Sequence, residues 1–395
     1  MIHITAVAFT CACANDYREA EKVFKESKNF AFFRDRSFLQ CTATASLAKV
    51  SLPLLSEKNI IEKNGLSEHN SRNNRLLLHT LLKIQAELEN ALQKYAHDRI
   101  AVIVGTSTSG QDEADAFVSN QEIKDNVKYA YSMQELGDPA YFLQKFFNLK
   151  GPAYTISTAC TSSARALISA SRLLRSNLAD CAIVAGCDTL NRMTVNGFHS
   201  MGVLADDECT PFAKGRNGIS IGEGAGVMLL AKDGKSDDIF FKGYGESSDA
   251  YHISSPDPKA LGAVTSMRDA LIRANLSESD IDYLNLHGTG TLLNDAMESK
   301  AVKTLFTKVP CSSTKHFSGH TLGACGIIEA CFLYFLLKNP DCPLPSQDFS
   351  LKEYDDTLGD FGLLKVPSFA KKRHNMMSNS FAFGGNNVSI ILGIM

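Results

Sequence analysis

Apolar residues along the chain alternate between short continuous runs and longer stretches with helical spacing. Residues 100–105 form a continuous run that ends at a glycine, as expected for a strand buried on both faces. Residues 76–92 carry apolar positions at helical spacing, and residues 162–174 are rich in Ala and Leu. Short strands are predicted at 153–157 and 181–185. This alternation predicts an α/β fold.

Two sequence patterns occur twice, which predicts two related α/β halves in one chain. VIVGTST (102–108) resembles LNLHGTGT (284–291), and each is a predicted strand that runs into Gly-Thr. IGEGAGVMLLA (221–231) resembles FGGNNVSIILG (383–393). The polar stretch 232–238 is the best boundary, so the predicted halves are residues 1–232 and 239–395.

Composition is typical of a folded globular protein and narrows the possible partners. The 395 residues are 44% hydrophobic and 21% charged, and the net charge of −3 gives no reason to expect a nucleic-acid partner. The longest apolar run is far shorter than the roughly 18 residues that suggest a membrane helix, so no membrane span is predicted. The apolar N-terminus has no basic leader, and we expect a buried strand there and a cytoplasmic protein.

The 11 cysteines are predicted to be free thiols, most of them core residues, because no export signal precedes them. Cys11 and Cys13 are separated by one residue, but no second pair completes a zinc-site pattern. We therefore predict no metal.

Cys160 lies between a predicted strand and a predicted helix in GPAYTISTACTSSARALISA (151–170). A sharp turn would put its thiol at the helix N-terminus, where unpaired N–H groups and the helix dipole favour the nucleophilic thiolate. The alternative is a buried core cysteine that precedes a helix by chance, and position alone favours it.

Two histidines, a lysine and a glutamate follow in the second half. His287 ends a predicted strand, and SSTKHFSGHTLGACGIIEA (312–330) places Lys315 five residues before His320. Each histidine alone is more commonly a hydrogen-bonded core or surface residue, and we assign His316 to that group. A carboxylate in an apolar helix needs a partner, so Glu329 is expected to pair with Lys315 or with a histidine.

Together these residues suggest covalent acyl chemistry with a cysteine nucleophile. Neutral histidines could donate N–H groups to a carbonyl oxygen that gains negative charge. Backbone N–H groups of the glycine-rich stretch 378–393 are candidates for an oxyanion hole, the alternative being an ordinary hairpin loop. GEGAG (222–226) lacks the pattern of a phosphate-binding loop and is predicted to be a turn.

Four motifs occur in one order along the chain: TACTSS (158–163), HGTGT (287–291), KHFSGHTLGACG (315–326) and FAFGGNN (381–387). In their order and spacing the chain resembles the elongating type of β-ketoacyl-acyl carrier protein synthases. The resemblance implies a thiolase-like fold, with two α/β halves in five αβαβα layers. It also implies decarboxylative condensation of an acyl thioester with malonyl-acyl carrier protein (malonyl-ACP). No resident cofactor is expected, because 4′-phosphopantetheine arrives on the acyl carrier protein.

The resemblance also implies a role for each candidate residue. Cys160 would take the acyl chain from acyl-ACP, and His287 and His320 would assist decarboxylation and stabilise the enolate. Lys315 would polarise the site together with Glu329.

The glycine-rich turn and HGTGT would complete the site. The backbone N–H groups of Cys160 and Phe383 would form the oxyanion hole, and Phe383 would gate malonyl entry. The implied substrate-binding residues are Thr289 and Thr291, which match residues that hold the pantetheine arm, together with Gly384 and Asn386.

Residues 151–174 and 187–204 look closest to synthases of bacterial aryl polyene pathways, in which a Cys-bearing synthase pairs with a Cys-less chain-length factor. We therefore predict a homodimer or a heterodimer with such a factor. The segment 105–151 is short and is expected to give flat walls to an acyl tunnel through its aromatic residues: Phe117, Tyr129, Tyr131, Tyr141, Phe142, Phe146 and Phe147. Arg72 and Arg75 are predicted to dock the carrier protein, the alternative being ordinary solvated charges.

Other functional classes remain as alternatives. The nearest is a housekeeping fatty-acid elongation synthase, and a non-catalytic chain-length factor is the rival outside enzymes. Cys160 argues against the latter, and against a loading decarboxylase with Gln at that position. A degradative thiolase would need a second cysteine in FAFGGNN, and a priming synthase would use Cys-His-Asn.

Overall fold

A computed structural model of the chain describes residues 1–28, 32–370 and 373–395. The strands in these residues are β1 (Ile2–Cys11), β2 (Phe33–Asp35), β3 (Ala45–Ala48), β4 (Ile100–Gly105), β5 (Ala153–Ile156), β6 (Cys181–Asp188), β7 (Ile221–Gly222), β8 (Gly224–Ala231), β9 (Ile239–Ser248), β10 (Tyr283–Asn285), β11 (Cys311–Ser312), β12 (Asn375–Phe381) and β13 (Asn386–Gly393).

The α-helices of the described residues are α1 (Tyr17–Glu26), α2 (Leu55–Lys63), α3 (Arg72–Leu82), α4 (Gln85–Lys94), α5 (Gln111–Val118), α6 (Asp138–Phe146), α7 (Ser162–Arg175), α8 (Arg192–Ser200), α9 (Leu261–Ala274), α10 (Leu292–Leu305), α11 (Lys315–Ser318) and α12 (Cys325–Lys338). Short 3-10 helices lie at Ser67–His69, His97–Arg99, Lys124–Asn126, Tyr131–Gln134, Glu278–Asp280, Leu322–Ala324 and Asp356–Leu358. No helix in the described ranges is both long and apolar enough to cross a bilayer.

Ten strands form one mixed sheet in the order β11-β10-β12-β13-β9-β1-β8-β6-β4-β5. The strands before residue 232 lie on one side of the central β9–β1 pair and the later strands on the other. Reading outward from the centre, the strands on one side are β1, β8, β6, β4 and β5, and those on the other side are β9, β13, β12, β10 and β11. If the five strands of each side are numbered in chain order, both sides have the spatial order first, fifth, fourth, second and third. On both sides the three outer strands are parallel and the inner pairings antiparallel. The polar stretch 232–238 joins β8 to β9.

Helices cover both faces of each half of the sheet. α7 and α12 contact each other and lie between the halves, packing on strands from both. α3 and α6 pack on the outer face of the first half, and α9, with α10 against it, on that of the second. These helices and half-sheets form five layers, which confirms the predicted α/β fold with two related halves.

Strand β4 shows why continuous apolar runs mark the sheet. Every residue of β4 is buried. Ala101 and Ile103 face the core around the central helices, whereas Val102 and Val104 face the outer core under α3. Because successive side chains point to opposite faces, a strand covered on both sides has to be apolar throughout.

Residues 76–92 are helical as their spacing indicates, but they form two helices, and the turn predicted at GEGAG is wrong. Residues 76–92 are split between α3 and α4, because Lys83 and Ile84 turn the chain with bonds to carbonyls three residues back. GEGAG is not a turn, because Gly224 and Gly226 belong to β8. A Cβ atom at either glycine would lie 2.9 Å from an isoleucine side chain of α12, so these glycines allow helix and sheet to approach closely.

Candidate active site

Cys160 lies in the sharp turn between β5 and α7, as predicted. Ala159 has a φ of 52°, and Thr158 N–H donates to the Ser162 hydroxyl at 2.9 Å, which fixes the turn. The thiol therefore sits against the first turn of α7, and the residue is only 6% exposed.

His320 donates toward the cysteine from the loop after α11. Its Nε2 lies 3.1 Å from Cys160 Sγ, while its Nδ1 accepts the backbone N–H of Leu322 at 3.0 Å. Because Nδ1 is the acceptor, the neutral ring carries its proton on Nε2. His320 thus presents an N–H group to the sulfur and not a lone pair.

His287 follows β10 and is held by a buried carboxylate. The backbone N–H groups of His287 and Gly288 donate to Glu298 at 2.8 and 2.7 Å. The His287 ring lies 5.3 Å from the His320 ring, nearly perpendicular to it. Sequence reasoning missed Glu298, although its spacing from Asp295 on one helical face was a usable signal.

A buried ion pair lies behind the two histidines. Lys315 Nζ is 2.5 Å from Glu329 Oε1, and neither side chain is accessible to solvent beyond 2%. Burial alone would lower the pKa of Lys315, but the Glu329 carboxylate outweighs it and the net pKa is raised. Lys315 thus remains a cation, in line with the predicted pairing.

Burial and the Lys315 cation together keep both histidines neutral. Burial is the main cause that lowers the pKa of His287 and of His320 far below the ordinary histidine value, and Lys315 lowers both further. His316 is a core residue as assigned, buried and hydrogen-bonded to Gln347 at 2.8 Å.

The expected low pKa of the nucleophile is wrong for the resting site. Burial raises the pKa of the Cys160 thiol to about 11, and the positive charge of Lys315 opposes this only in part. Desolvation of the thiolate therefore outweighs its stabilisation by the turn and the cation, and the resting thiol is protonated.

Two backbone donors also face the sulfur. The N–H groups of Cys160 and Phe383 hydrogen-bond to the thiol and lower its pKa. The Phe383 ring stacks on Phe198 at 5.7 Å between centroids. The two N–H groups named from the sequence therefore converge on one atom, the Cys160 sulfur.

A cavity of about 310 Å³ opens onto these groups. Its lining includes Cys160, His287, His320, Phe383, Thr289 and Thr291. The Thr289 and Thr291 hydroxyls lie 3.0 Å apart. Lys315 and Glu329 lie behind this lining, so they act on the cavity through their charge and the residues they position.

Gly384 and Asn386 do not line that cavity, and their positions do not support the predicted substrate-binding role. Gly384 is exposed in the turn between β12 and β13. The Asn386 side chain faces away and accepts a hydrogen bond from Arg165 at 3.3 Å.

The docking prediction for two arginines is wrong, because both lie in structural ion pairs. Arg72 donates to Glu223 at 2.6 Å, and Arg75, only 1% exposed, binds Asp125 at 2.7 Å. Neither guanidinium presents a free charge to a carrier protein.

The aromatic residues of the segment 105–151 do not form walls of the cavity as defined by the described residues. Phe142, Phe146 and Phe147 pack in the outer core, because α6 covers the outer face of β4 and β5. Phe117 and Tyr131 are exposed. The predicted aromatic tunnel is therefore absent from this cavity.

The Cys160, His287 and His320 donor atoms lie within 4.8 Å of one another, so their suitability for a metal has to be tested. His320 Nε2 carries a proton and cannot ligate unless the ring gives up its bond from Leu322. The Lys315 cation also repels a second positive charge. The donor set therefore favours hydrogen bonding to an oxygen or sulfur anion over metal binding.

Family models agree with this geometry. The model described as the N-terminal domain of β-ketoacyl synthase matches residues 67–236, and its C-terminal domain matches residues 240–344. The ketosynthase ApeO of Xenorhabdus doucetiae, solved in complex with its chain length factor ApeC, is 43% identical, with a TM-score of 0.93 over 100% of this chain and 98% of that one. The chain belongs to the β-ketoacyl synthase family.

Curated relatives cover less of the chain. The 3-oxoacyl-(acyl-carrier-protein) synthase 2 of Coxiella burnetii is 34% identical over 266 residues, which are 62% of this chain and 63% of that protein. The corresponding enzyme of Rhizobium meliloti is 34% identical over 62% and 61%. The matched region thus spans less than two thirds of these relatives. A β-ketoacyl synthase from Burkholderia phymatum, 24% identical with a TM-score of 0.81, shows the same fold.

Neutral buried histidines predict a pH-dependent stability. Below the ordinary histidine pKa of about 6.5, the histidines of the unfolded chain bind protons, whereas the buried histidines of the folded site stay neutral. The free energy of unfolding should therefore decrease as the pH is lowered, by up to about 1.4 kcal/mol per pH unit per histidine. In urea denaturation between about pH 7.5 and about pH 5, His320→Gln should show a shallower decrease than wild type. The exposed His374→Gln should match wild type. Equal slopes for wild type and His320→Gln would contradict a neutral His320.

Proposed function

We propose that the protein is a β-ketoacyl-acyl carrier protein synthase, which condenses an acyl chain held on Cys160 with malonyl-ACP and releases CO2. The observation that supports this best is the environment of the Cys160 sulfur. His320 Nε2–H and two backbone N–H groups converge on it at a cavity that also reaches His287. Such a set of donors suits a nucleophile and an oxyanion in turn.

Acyl transfer comes first. Cys160 sulfur attacks the carbonyl carbon of acyl-ACP, a new C–S bond forms, and the bond to the pantetheine sulfur breaks. The Cys160 proton ends on the departing pantetheine thiol, so the protonated resting thiol needs no net acceptor. The N–H groups of Cys160 and Phe383 hold the carbonyl oxygen while it is negative.

Condensation follows. Loss of CO2 from malonyl-ACP leaves an electron pair on the thioester as an enolate, whose oxygen His287 and His320 stabilise as N–H donors. The enolate carbon attacks the Cys160 thioester, a C–C bond forms and the C–S bond breaks. Cys160 leaves as a thiolate and takes a proton from solvent. Because both histidines are neutral, they stabilise the enolate without protonating it.

The carrier protein and a second subunit are the partners in this proposal. β5 is an edge strand of the ten-stranded sheet with every residue half-buried, so one side of it is free to pair. Tyr141 and Leu136 are exposed close to it in the chain. We propose a dimer through this edge, with a second copy or with a chain-length factor as in ApeO–ApeC. A cytoplasmic location, no resident cofactor and no bound metal belong to the same proposal.

We assign the synthase to aryl polyene formation, on the sequence resemblance of residues 151–174 and 187–204. The similarity to ApeO over the whole chain supports a synthase that works with a chain-length factor. Because the aromatic residues of the segment 105–151 do not line the cavity, the partner subunit is expected to supply the distal wall of the acyl tunnel.

Removal of the nucleophile tests the proposal directly. Cys160→Ala should abolish both acylation by acyl-ACP and condensation, since the sulfur that forms the thioester is gone. Intact-protein mass spectrometry measures the acyl adduct, and CO2 release measures condensation. The exposed thiol variant Cys41→Ala is the matched control and should be acylated like wild type. An adduct that persists in Cys160→Ala would rule out this site.

The histidines should separate the two half-reactions. His287→Ala and His320→Ala should still form acyl-enzyme but lose about 100- to 1000-fold in condensation rate, because an enolate donor is missing. Single-turnover acylation and malonyl-ACP decarboxylation are measured in parallel. His316→Gln, a neighbouring buried histidine outside the cavity, should keep both rates. Condensation at the wild-type rate in either alanine variant would remove that histidine from the site.

The pathway is tested by competition between primers of equal length. With any co-expressed chain-length partner present, carrier-bound polyenoyl primers should be elongated faster than saturated ones, because rigid chains lose less conformational freedom on binding. Product ratios are read by mass spectrometry. Equal or better use of saturated primers would support the fatty-acid elongation alternative and reject the polyene assignment.

A further inference from the structure

The turn after β1 brings two thiols into contact outside the active-site cavity. Cys11 N–H donates to the carbonyl of Ala14 at 2.9 Å, and the two residues pair as an isolated antiparallel bridge. This tight turn places Cys11 Sγ 3.6 Å from Cys13 Sγ. Neither cysteine lines the cavity that holds Cys160.

The two sulfurs are close enough to react without rearranging the fold. A disulfide needs a sulfur–sulfur distance of about 2.05 Å, which rotation of the two side chains within the turn can approach from contact distance. Among the described residues, no other two cysteine sulfurs lie within hydrogen-bonding distance of each other. Cys13 is partly exposed, and the buried Cys11 sulfur lies in contact with it, so peroxide has to enter beside Cys13 to reach Cys11.

A lysine supplies positive charge beside the turn. Lys83 Nζ donates to the carbonyls of Phe9 and Asn15, at 3.0 and 2.5 Å. These two carbonyls lie before and after Cys11 in the chain and hold the cation beside the turn. The hydrogen bond from the Cys13 thiol is the largest cause that lowers the pKa of Cys11, and the Lys83 charge lowers it further. Thiolate character on Cys11 and a proton on Cys13 suit an attacking and a resolving thiol.

We propose that Cys11 and Cys13 are a redox-active dithiol that hydrogen peroxide converts into an intramolecular disulfide. The Cys11 sulfur attacks peroxide, the O–O bond breaks, and a sulfenic acid and hydroxide form. This hydroxide takes the Cys13 proton and becomes water. The Cys13 sulfur then displaces a second hydroxide from Cys11, which takes up the proton that Cys11 released on becoming a thiolate. The two thiols lose two electrons and two protons, and peroxide is reduced to two waters. A small dithiol reductant reverses the change.

The test uses the full chain with Cys160→Ala, so that the active-site thiol cannot react. The protein is treated with hydrogen peroxide, alkylated with N-ethylmaleimide and digested with trypsin. Arg18 is the first lysine or arginine, so one tryptic peptide, residues 1–18, holds both thiols. We expect this peptide to lose both alkylation sites and two hydrogen atoms, and dithiothreitol to restore both sites.

Two controls separate a disulfide from general oxidation. Residues 37–49 carry Cys41, which is exposed and contacts no other cysteine sulfur among the described residues, so it should stay alkylated or gain oxygen. In Cys13→Ser, Cys11 should give a sulfenic acid trapped by dimedone and no loss of two hydrogens. A 1–18 peptide that remains doubly alkylated when Cys41 is already oxidised would overturn the proposal. So would the same loss of two hydrogens in Cys13→Ser.

Discussion

The close packing of α7 and α12 between the two halves is the constraint on which the rest of the structure depends. A Cβ atom at Gly105 would lie 2.3 Å from the backbone nitrogen of Ser163, and one at Gly326 would lie 2.9 Å from Ala164. These glycines let both helices sit nearly against each other and against the sheet. Cys160 lies just before α7, His320 lies just before α12, and Glu329 lies on α12. The helix contact therefore brings together groups that are far apart in sequence.

The buried Lys315–Glu329 pair sets the charge of the site that this packing creates. A single buried charge there would be costly, and the pair at 2.5 Å offsets that cost. Burial is the main cause that lowers the pKa of His287 and His320, and the lysine cation lowers both further, so both stay neutral. Neutral rings donate hydrogen bonds and do not donate protons, and the bond from Leu322 fixes the tautomer of His320. Such rings can therefore stabilise an enolate without protonating it.

The sequence was sufficient to predict the α/β class, the two halves and the residues that meet at the cavity, because burial periodicity and motif order are local signals. The sequence was not sufficient where long-range packing decides the surroundings of a side chain. Nothing local shows that Arg75 is buried beside Asp125, or that Phe142 of α6 packs into the outer core and not along the cavity. The pKa of Cys160 was misjudged for the same reason, because desolvation depends on what covers the thiol.

The raised pKa of Cys160 is consistent with a nucleophile whose developing negative charge is stabilised by nearby hydrogen-bond donors. The N–H groups of His320, Cys160 and Phe383 all point at the sulfur and favour negative charge on it only as that charge develops. Once the sulfur is acylated it is neutral and a poor acceptor, so the same donors are free to bind carbonyl and enolate oxygens. A permanent thiolate would compete for these donors. A buried, protonated thiol leaves them available for the oxygen atoms that carry the charge in each step.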